Sequence, residues 1–238
     1  MGKRNNIPIA KATLERHKEL ESLLKKMRTG YTARDNFAIL MEIMAITFAN
    51  IVKTEMWQER ENTYLKLIKT VDIEATTRAF AFVMEWFASE PTPMDLLGPF
   101  HTWIGMDNSG SGQFFTPWEV AVMMARMSLG SKECIEAQID KKGCITICDP
   151  TCGAGGTLIA GANVLHSMGI DCSNVVFYGQ ELMPTTAYTC FVQCALWGLP
   201  AVIGHGDTLR MNTYQTFVSP PYWELAAKLP EDVLEAIA

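Results

Sequence analysis

Between Cys144 and Gly161 the chain reads Cys-Ile-Thr-Ile-Cys-Asp-Pro-Thr-Cys-Gly-Ala-Gly-Gly-Thr-Leu-Ile-Ala-Gly. A β-branched apolar run ends in Asp149-Pro150, three glycines follow, and a helix-forming stretch begins. Strand, glycine turn and helix in that order bring bare backbone amides against a ligand, so a nucleotide-like cofactor belongs here. Gly153-Ala154-Gly155 could open a dinucleotide fingerprint, but its third glycine would fall at Leu158. Asp149 at the strand end would repel a pyrophosphate. It suits a cationic or hydrogen-bond-donating ligand.

Further polar residues stand where later strands should end. Glu181 closes Val-Val-Phe-Tyr-Gly-Gln-Glu, one helix and one strand after Asp149, where a carboxylate can accept both hydroxyls of a ribose. Asp207, in Gly206-Asp207-Thr208-Leu209, is placed to accept from an exocyclic amine such as that of adenine. In Val218-Ser219-Pro220-Pro221-Tyr222-Trp223 two prolines stiffen the backbone after a strand. That corner could aim Ser219 and nearby carbonyls at a flat polar base stacked beside an aromatic ring; a plain Pro-Pro turn is the structural alternative. Upstream, Gly112-Gln113-Phe114-Phe115-Thr116-Pro117-Trp118-Glu119 has the form of a helix start, with Thr116 as cap, Pro117 first in the helix and Glu119 completing a capping box. In the functional reading Phe114, Phe115 and the Thr116 hydroxyl line a pocket whose helix N-terminus faces a carboxylate.

These residues need a scaffold. The first ninety residues read as helices: one through Leu20, Leu23, Leu24 and Met27 ended by Gly30, one from Asn36 to about Val52 capped by Asp35, one over about Asn62–Thr70, and one over Ile73–Ser89. The aromatic residues of the last belong to a core rather than a stacking platform. Glu90-Pro91-Thr92-Pro93 is a break. After a short helix at 94–104 and a polar loop at 107–112, the pattern alternates. Strands fall at about Ile145–Cys148, Val175–Gln180, Ala201–His205 and Thr216–Val218, and helices at about Pro117–Ser128, Thr157–Met168 and Pro184–Leu196. Alternation of this kind predicts an α/β fold with a parallel sheet covered on both faces. The division is a helical N-terminal domain over 1–92 and an α/β domain over 93–238.

Composition narrows the function classes. At 48% hydrophobic and 19% charged residues the chain folds rather than remaining disordered. No apolar run spans a bilayer and no signal-like start is present, which places the protein in the cytoplasm. The seven cysteines are odd in number, without a Cys-x-x-Cys pair, and read as reduced thiols rather than as a metal site. A net charge of −6 argues against unaided gripping of DNA. Residues 1–35, with nine Lys/Arg against four Asp/Glu, offer either a solvated basic face or a contact with nucleic acid or an acidic partner.

In order, Gly-Gln-Phe-Phe-Thr-Pro, Asp-Pro-Thr-Cys-Gly-Ala-Gly-Gly, Gly-Gln-Glu-Leu, Gly-Asp-Thr-Leu and Ser-Pro-Pro-Tyr resemble the motifs of amino-methylating DNA methyltransferases, above all the modification subunits of type I restriction systems. Asp95-Leu96-Leu97-Gly98 resembles the approach to the first motif. The likeness covers residues 94–223 well and residues 10–90 only in character. It implies a Rossmann-like sheet binding S-adenosylmethionine. By resemblance Phe114 and Thr116 contact the methionine part, with Phe115 beside them. Asp149 and the loop Cys152–Gly155, with Gly153 at its turn, hold the methionine amine and backbone. Glu181 takes the ribose and Asp207 the adenine, and Thr151, Leu182 and Thr208 complete the contacts. Ser219, Pro220, Pro221 and Tyr222 would form the catalytic corner, transferring a methyl group to the exocyclic amine of a flipped base, chiefly by positioning. Cys152 is not a nucleophile in that chemistry.

Two departures stand out. Ser219 replaces the Asn or Asp of adenine-specific members, as is common among members acting on cytosine, although the motif order favours adenine. Only residues 224–238, read as a short acidic amphipathic tail, follow the last motif, so the sheet looks shortened on its C-terminal side, and target recognition would come from a partner such as a specificity subunit. Nine residues, 210–218, must supply both a connection and a strand. The alternatives are a relative that binds S-adenosylmethionine without catalysis and a nicotinamide-dependent oxidoreductase, the second resting only on the glycine loop and Glu181.

Overall fold

A computed structural model of the chain describes residues 11–106 and 115–237. The helical part opens with α1 (Lys11–Met27), whose Leu20, Leu24 and Met27 form one fully buried stripe. Gly30 turns the chain with φ 84°. The start of α2 (Ala33–Ala49) differs from expectation: Thr32 is the cap, and Asp35 is the third helical residue of a reciprocal capping box. Asn36 then bridges the two helices, accepting from Arg28 Nε at 2.8 Å and donating to the Leu24 carbonyl at 2.8 Å. Helix α3 (Trp57–Leu67) ends in a 3-10 turn at Ile68–Thr70. Helix α4 (Ile73–Ser89) is capped by Asp72, whose carboxylate accepts from Ala75 N at 2.7 Å, and it buries Phe82, Val83, Trp86 and Phe87. A loop over 90–96 leads to α5 (Leu97–Trp103).

The second part starts with α6 (Trp118–Leu129), which packs on the helix over Gly156–Ser167. Helix α7 (Lys132–Lys142) was not foreseen, because only Ile135 and Ile139 give it an apolar rhythm. Its signals are the Ser131 cap and Gly143, left-handed at φ 81°. Strand β1 (Ile145–Asp149), α8 (Gly156–Ser167), β2 (Val175–Glu181), α9 (Pro184–Leu196) and β3 (Ala201–Asp207) follow in alternation. Strands β1, β2 and β3 are neighbours and parallel.

Strand β4 (Asn212–Val218) departs from the expected all-parallel sheet: it pairs antiparallel with β3, at the edge away from β1. Length is the reason. Residues 208–211 alone connect the two strands, and a parallel return needs a crossover of roughly a dozen residues or more. Four residues can make only a hairpin, here with Met211 at φ 56° and a register shift at His205/Gly206. The segment after β4 forms α10 (Pro220–Ala226) and α11 (Glu231–Ile237).

One continuous core runs from Leu20 and Phe37 through Phe100, Phe177 and Phe191 to Phe217. Helix α2 packs on α9, and α3 sends Arg60 to the sheet, where it donates to the Thr216 carbonyl at 2.6 Å and lies 5.4 Å from the Phe217 ring centre. The helical part thus packs on α9 and reaches the sheet at its β4 edge. No helix among the described residues is long and apolar enough to cross a membrane.

Candidate functional site

Because β1, β2 and β3 are adjacent and parallel, their carboxyl ends share one edge of the sheet. Asp149, Glu181 and Asp207 are the last residues of these strands. The register pairs Asp149 with Gly179 and Glu181 with His205, so the tips rise stepwise from β1 to β3. Two bonds lock them together. Cys152 N donates to the Gln180 carbonyl at 3.0 Å, carrying the loop after β1 across the end of β2. The Thr208 hydroxyl donates to the Pro150 carbonyl, tying the end of β3 to the same loop.

The glycine loop needs its glycines. Gly153 has φ 55° and Gly155 has φ 97°, both left-handed. A Cβ on Gly155 would come within 2.9 Å of Cys190 Sγ, and one on Gly153 within 3.0 Å of the Phe115 ring. Asp149 organises the loop from below: Oδ1 accepts from Thr151 N at 2.9 Å, and Oδ2 accepts from the Thr157 hydroxyl at the start of α8. Cys152 is buried under the loop, packed so closely on Gly179 that a Cβ there would lie 2.8 Å from its sulfur. Hydrogen-bonding contact with the Cys152 and Cys194 thiols, together with burial, pushes the Cys190 thiol well above its usual range, and the three buried cysteines pack together beneath the loop.

The other tips carry carboxylates with local partners. Glu181 Oε1 accepts from Met183 N at 2.8 Å, its second oxygen has no partner among the described residues, and Leu182 beside it is exposed. Asp207 accepts from Arg210 N at 3.2 Å and pairs with the Arg210 guanidinium at 3.3 Å. The guanidinium is largely exposed and can yield to a ligand amine.

Phe115 reaches the loop, with its ring against Gly153 and 5.2 Å from the His101 ring. Thr116 lies next to it, exposed, but does not cap α6: Pro117 holds the cap position and no side chain makes a capping bond there, so the expected capping box with Glu119 is absent. Phe114 lies outside the described residues.

The Ser-Pro-Pro-Tyr corner is not part of this cluster. Since β4 runs backwards, it delivers Ser219 beside Ala201, at the amino end of β3, roughly 20 Å along the strand from Asp207. Ser219 is fully buried, its hydroxyl accepting from Ala201 N at 2.8 Å and donating to the Leu199 carbonyl at 2.7 Å. Pro220 and Pro221 begin α10, and Tyr222 packs with Cys144, Val176 and Leu225 below the sheet. The expectation that these four residues face the cofactor loop is corrected by the antiparallel hairpin.

Sequence reasoning missed a residue that supports the loop. Gln193 is fully buried on α9 and spends all its hydrogen-bonding capacity. Its oxygen accepts from Leu96 N at 2.9 Å and Leu97 N at 3.0 Å, and its nitrogen donates to Asp95 Oδ1 at 2.8 Å and to the Ala154 carbonyl at 2.9 Å. A lone amide amid the apolar run Phe191–Leu196 was the available signal.

The N-6 DNA Methylase family model matches residues 100–225. The type I restriction enzyme MpnII methylase subunit of Mycoplasma pneumoniae (strain ATCC 29342 / M129 / Subtype 1) is 30% identical over 108 residues, covering 44% of this chain and 18% of that protein. The chain therefore spans less than a fifth of that relative's length. The crystal structure of a type I restriction-modification system methyltransferase subunit from Streptococcus thermophilus aligns with 84% of this chain and 59% of its own, at 17% identity and a TM-score of 0.42.

Proposed function

The chain belongs to the N-6 DNA methylase family, and from that membership we propose that its strand-tip cluster binds S-adenosylmethionine for methyl transfer to an exocyclic base amine of DNA. The observation that carries the reading is the convergence of Asp149, Glu181 and Asp207 on one sheet edge around a left-handed glycine loop. The donor set fits such a cofactor. Glu181 offers an unshared oxygen to ribose hydroxyls, and Asp207 offers acceptors to the adenine amine once Arg210 yields. The acidic loop tolerates a ligand of positive charge, and the Phe115 ring closes the loop side.

When bound, the cofactor supplies an electrophilic methyl group, and the protein's part is to hold it in line with the acceptor nitrogen and exclude water. Adenine is the favoured base by motif order. The sheet with its flanking helices is read as a Rossmann-like domain over 93–238, preceded by the helical domain over 1–92. The protein is placed in the cytoplasm, with sequence recognition supplied by a partner subunit.

A second reading, binding of S-adenosylmethionine without catalysis, has one observation in its favour: the corner bearing Ser219 lies at the far end of the sheet. Calorimetric titration of the full chain with S-adenosylmethionine, followed by transfer of labelled methyl groups to duplex DNA with and without a specificity subunit, separates the two. Binding with transfer supports the first reading and removes the second. Binding without transfer in every combination selects the second. No affinity for the cofactor or its demethylated product refutes both.

A further inference from the structure

Behind the glycine loop sits a carboxylate that none of the matched tips accounts for. Asp95 lies between the first turns of α5 and α8. A Cβ on Gly98 would come within 2.3 Å of its Oδ2, and one on Gly156 within 2.9 Å. Both positions are glycine because the carboxylate occupies the space a side chain would need. Oδ1 accepts from Gly98 N at 2.8 Å and from Gln193 Nε2 at 2.8 Å. The same Gln193 nitrogen donates to the Ala154 carbonyl, so one atom separates the acid from the loop backbone.

Asp95 makes no ion pair among the described residues, and no basic side chain offsets it. Burial raises its pKa, and the bonds from Gln193 and Gly98 oppose that rise only in part. A half-buried carboxylate without a cation is costly, and the two helix N-termini it faces return only a fraction of the cost. A ligand carrying a positive charge on the other side of the loop would supply the missing compensation.

We propose that Asp95, held by Gln193, is a positioning residue that sets the charge preference of this site, favouring a cationic ligand over its neutral counterpart. The inference rests on the reading of the site as one for S-adenosylmethionine and deepens it. The sulfonium donor and the thioether product, S-adenosylhomocysteine, differ by one methyl group and one charge at sulfur. Asp95 helps the site tell them apart and favours exchange of spent product for fresh donor. At an effective dielectric constant of about 20, one unit charge within about 10 Å of another changes its affinity by tenfold or more.

The test is calorimetry of the full chain with both ligands, on wild type, D95N and D95E. The readout is the ratio of the two dissociation constants, which damage to the fold alone would not move. In D95N the preference for the sulfonium ligand is expected to fall about tenfold against wild type, with S-adenosylhomocysteine changed less than about threefold. D95E, which keeps the charge, should restore most of the wild-type ratio. If D95N does not fold, D95S takes its place, with a hydroxyl left to accept from Gly98 N. Equal weakening of both ligands, or an unchanged ratio, overturns the proposal while leaving the cofactor assignment intact. Failure of the wild type to bind either ligand removes the assignment itself, and the proposal with it.

Discussion

Replacing Gly155 with alanine tests the loop geometry most directly. Two costs arise from the structure. The residue sits at φ 97°, where a Cβ-bearing residue costs about 1–2 kcal/mol. The new methyl group would also stand 2.9 Å from Cys190 Sγ and 3.4 Å from Cys190 Cα, and Cys190 is fully buried on α9 and cannot swing away. Overpacking of that kind adds about 1–3 kcal/mol. The sum, about 2–5 kcal/mol, is a large share of the stability of an ordinary domain. Gly30 provides the control: it shares the left-handed backbone at φ 84° but has nothing within 4 Å of its Cβ position, so Gly30→Ala carries the backbone cost alone. Urea unfolding of both variants, compared at constant slope, isolates the crowding as their difference. A Gly155→Ala midpoint equal to that of Gly30→Ala would show that α9 does not press on the loop as described. The variant should also lose affinity for S-adenosylmethionine, because relief of the clash moves the loop amides.

Ser219→Ala should destabilise by about 2–3 kcal/mol in urea, since it leaves Ala201 N and the Leu199 carbonyl buried without a partner; a loss of methyl transfer with unchanged stability would contradict the placement of Ser219. Glu181→Gln should weaken S-adenosylmethionine binding at least tenfold by calorimetry with little change in melting temperature, and unaltered affinity would remove Glu181 from the site. His17 is fully buried among the Trp86, Phe100 and Trp103 rings, has no hydrogen-bond partner for either ring nitrogen among the described residues, and has its pKa lowered by burial from 6.5 to about 4. The unfolded chain therefore binds a proton that the folded one refuses between pH 6.5 and 4, so this contribution is intact above 6.5 and is lost as pH falls through that window, by up to about 3 kcal/mol. His17→Leu should flatten that part of the pH dependence of the urea midpoint, and an unchanged slope would place the acid sensitivity elsewhere.

The strand tips were legible because local patterns determine them. A β-branched run followed by Asp149-Pro150 and glycines can end in few ways, and Glu181 and Asp207 stand at the same point of equivalent units. What escaped depends on pairing across the chain. That β4 turns back is decided by the four residues 208–211, a length visible in the sequence as too tight for the expected route but not read as a hairpin. The burial of Ser219 follows from that reversal. The link from Gln193 to Asp95 and Ala154 joins residues about a hundred and about forty positions apart, and no local rule reports such a contact. Helix α7 was overlooked for the opposite reason: it is polar nearly all round, and its caps alone announced it.

The hairpin of β3 and β4 also bears on the order in which the sheet can assemble. Pairing β1 with β2, or β2 with β3, requires a helix to be laid down and the ends of a long loop to meet, whereas β3 and β4 need close only four residues. Loop-closure entropy makes that edge the quickest to zip, on a microsecond scale of roughly 1–10 μs in isolation. Residues at the hairpin, such as Phe217 and Thr213, are thus candidates for high φ-values in a kinetic study, while the glycine loop, held only when three strands and α9 are in place, would consolidate late.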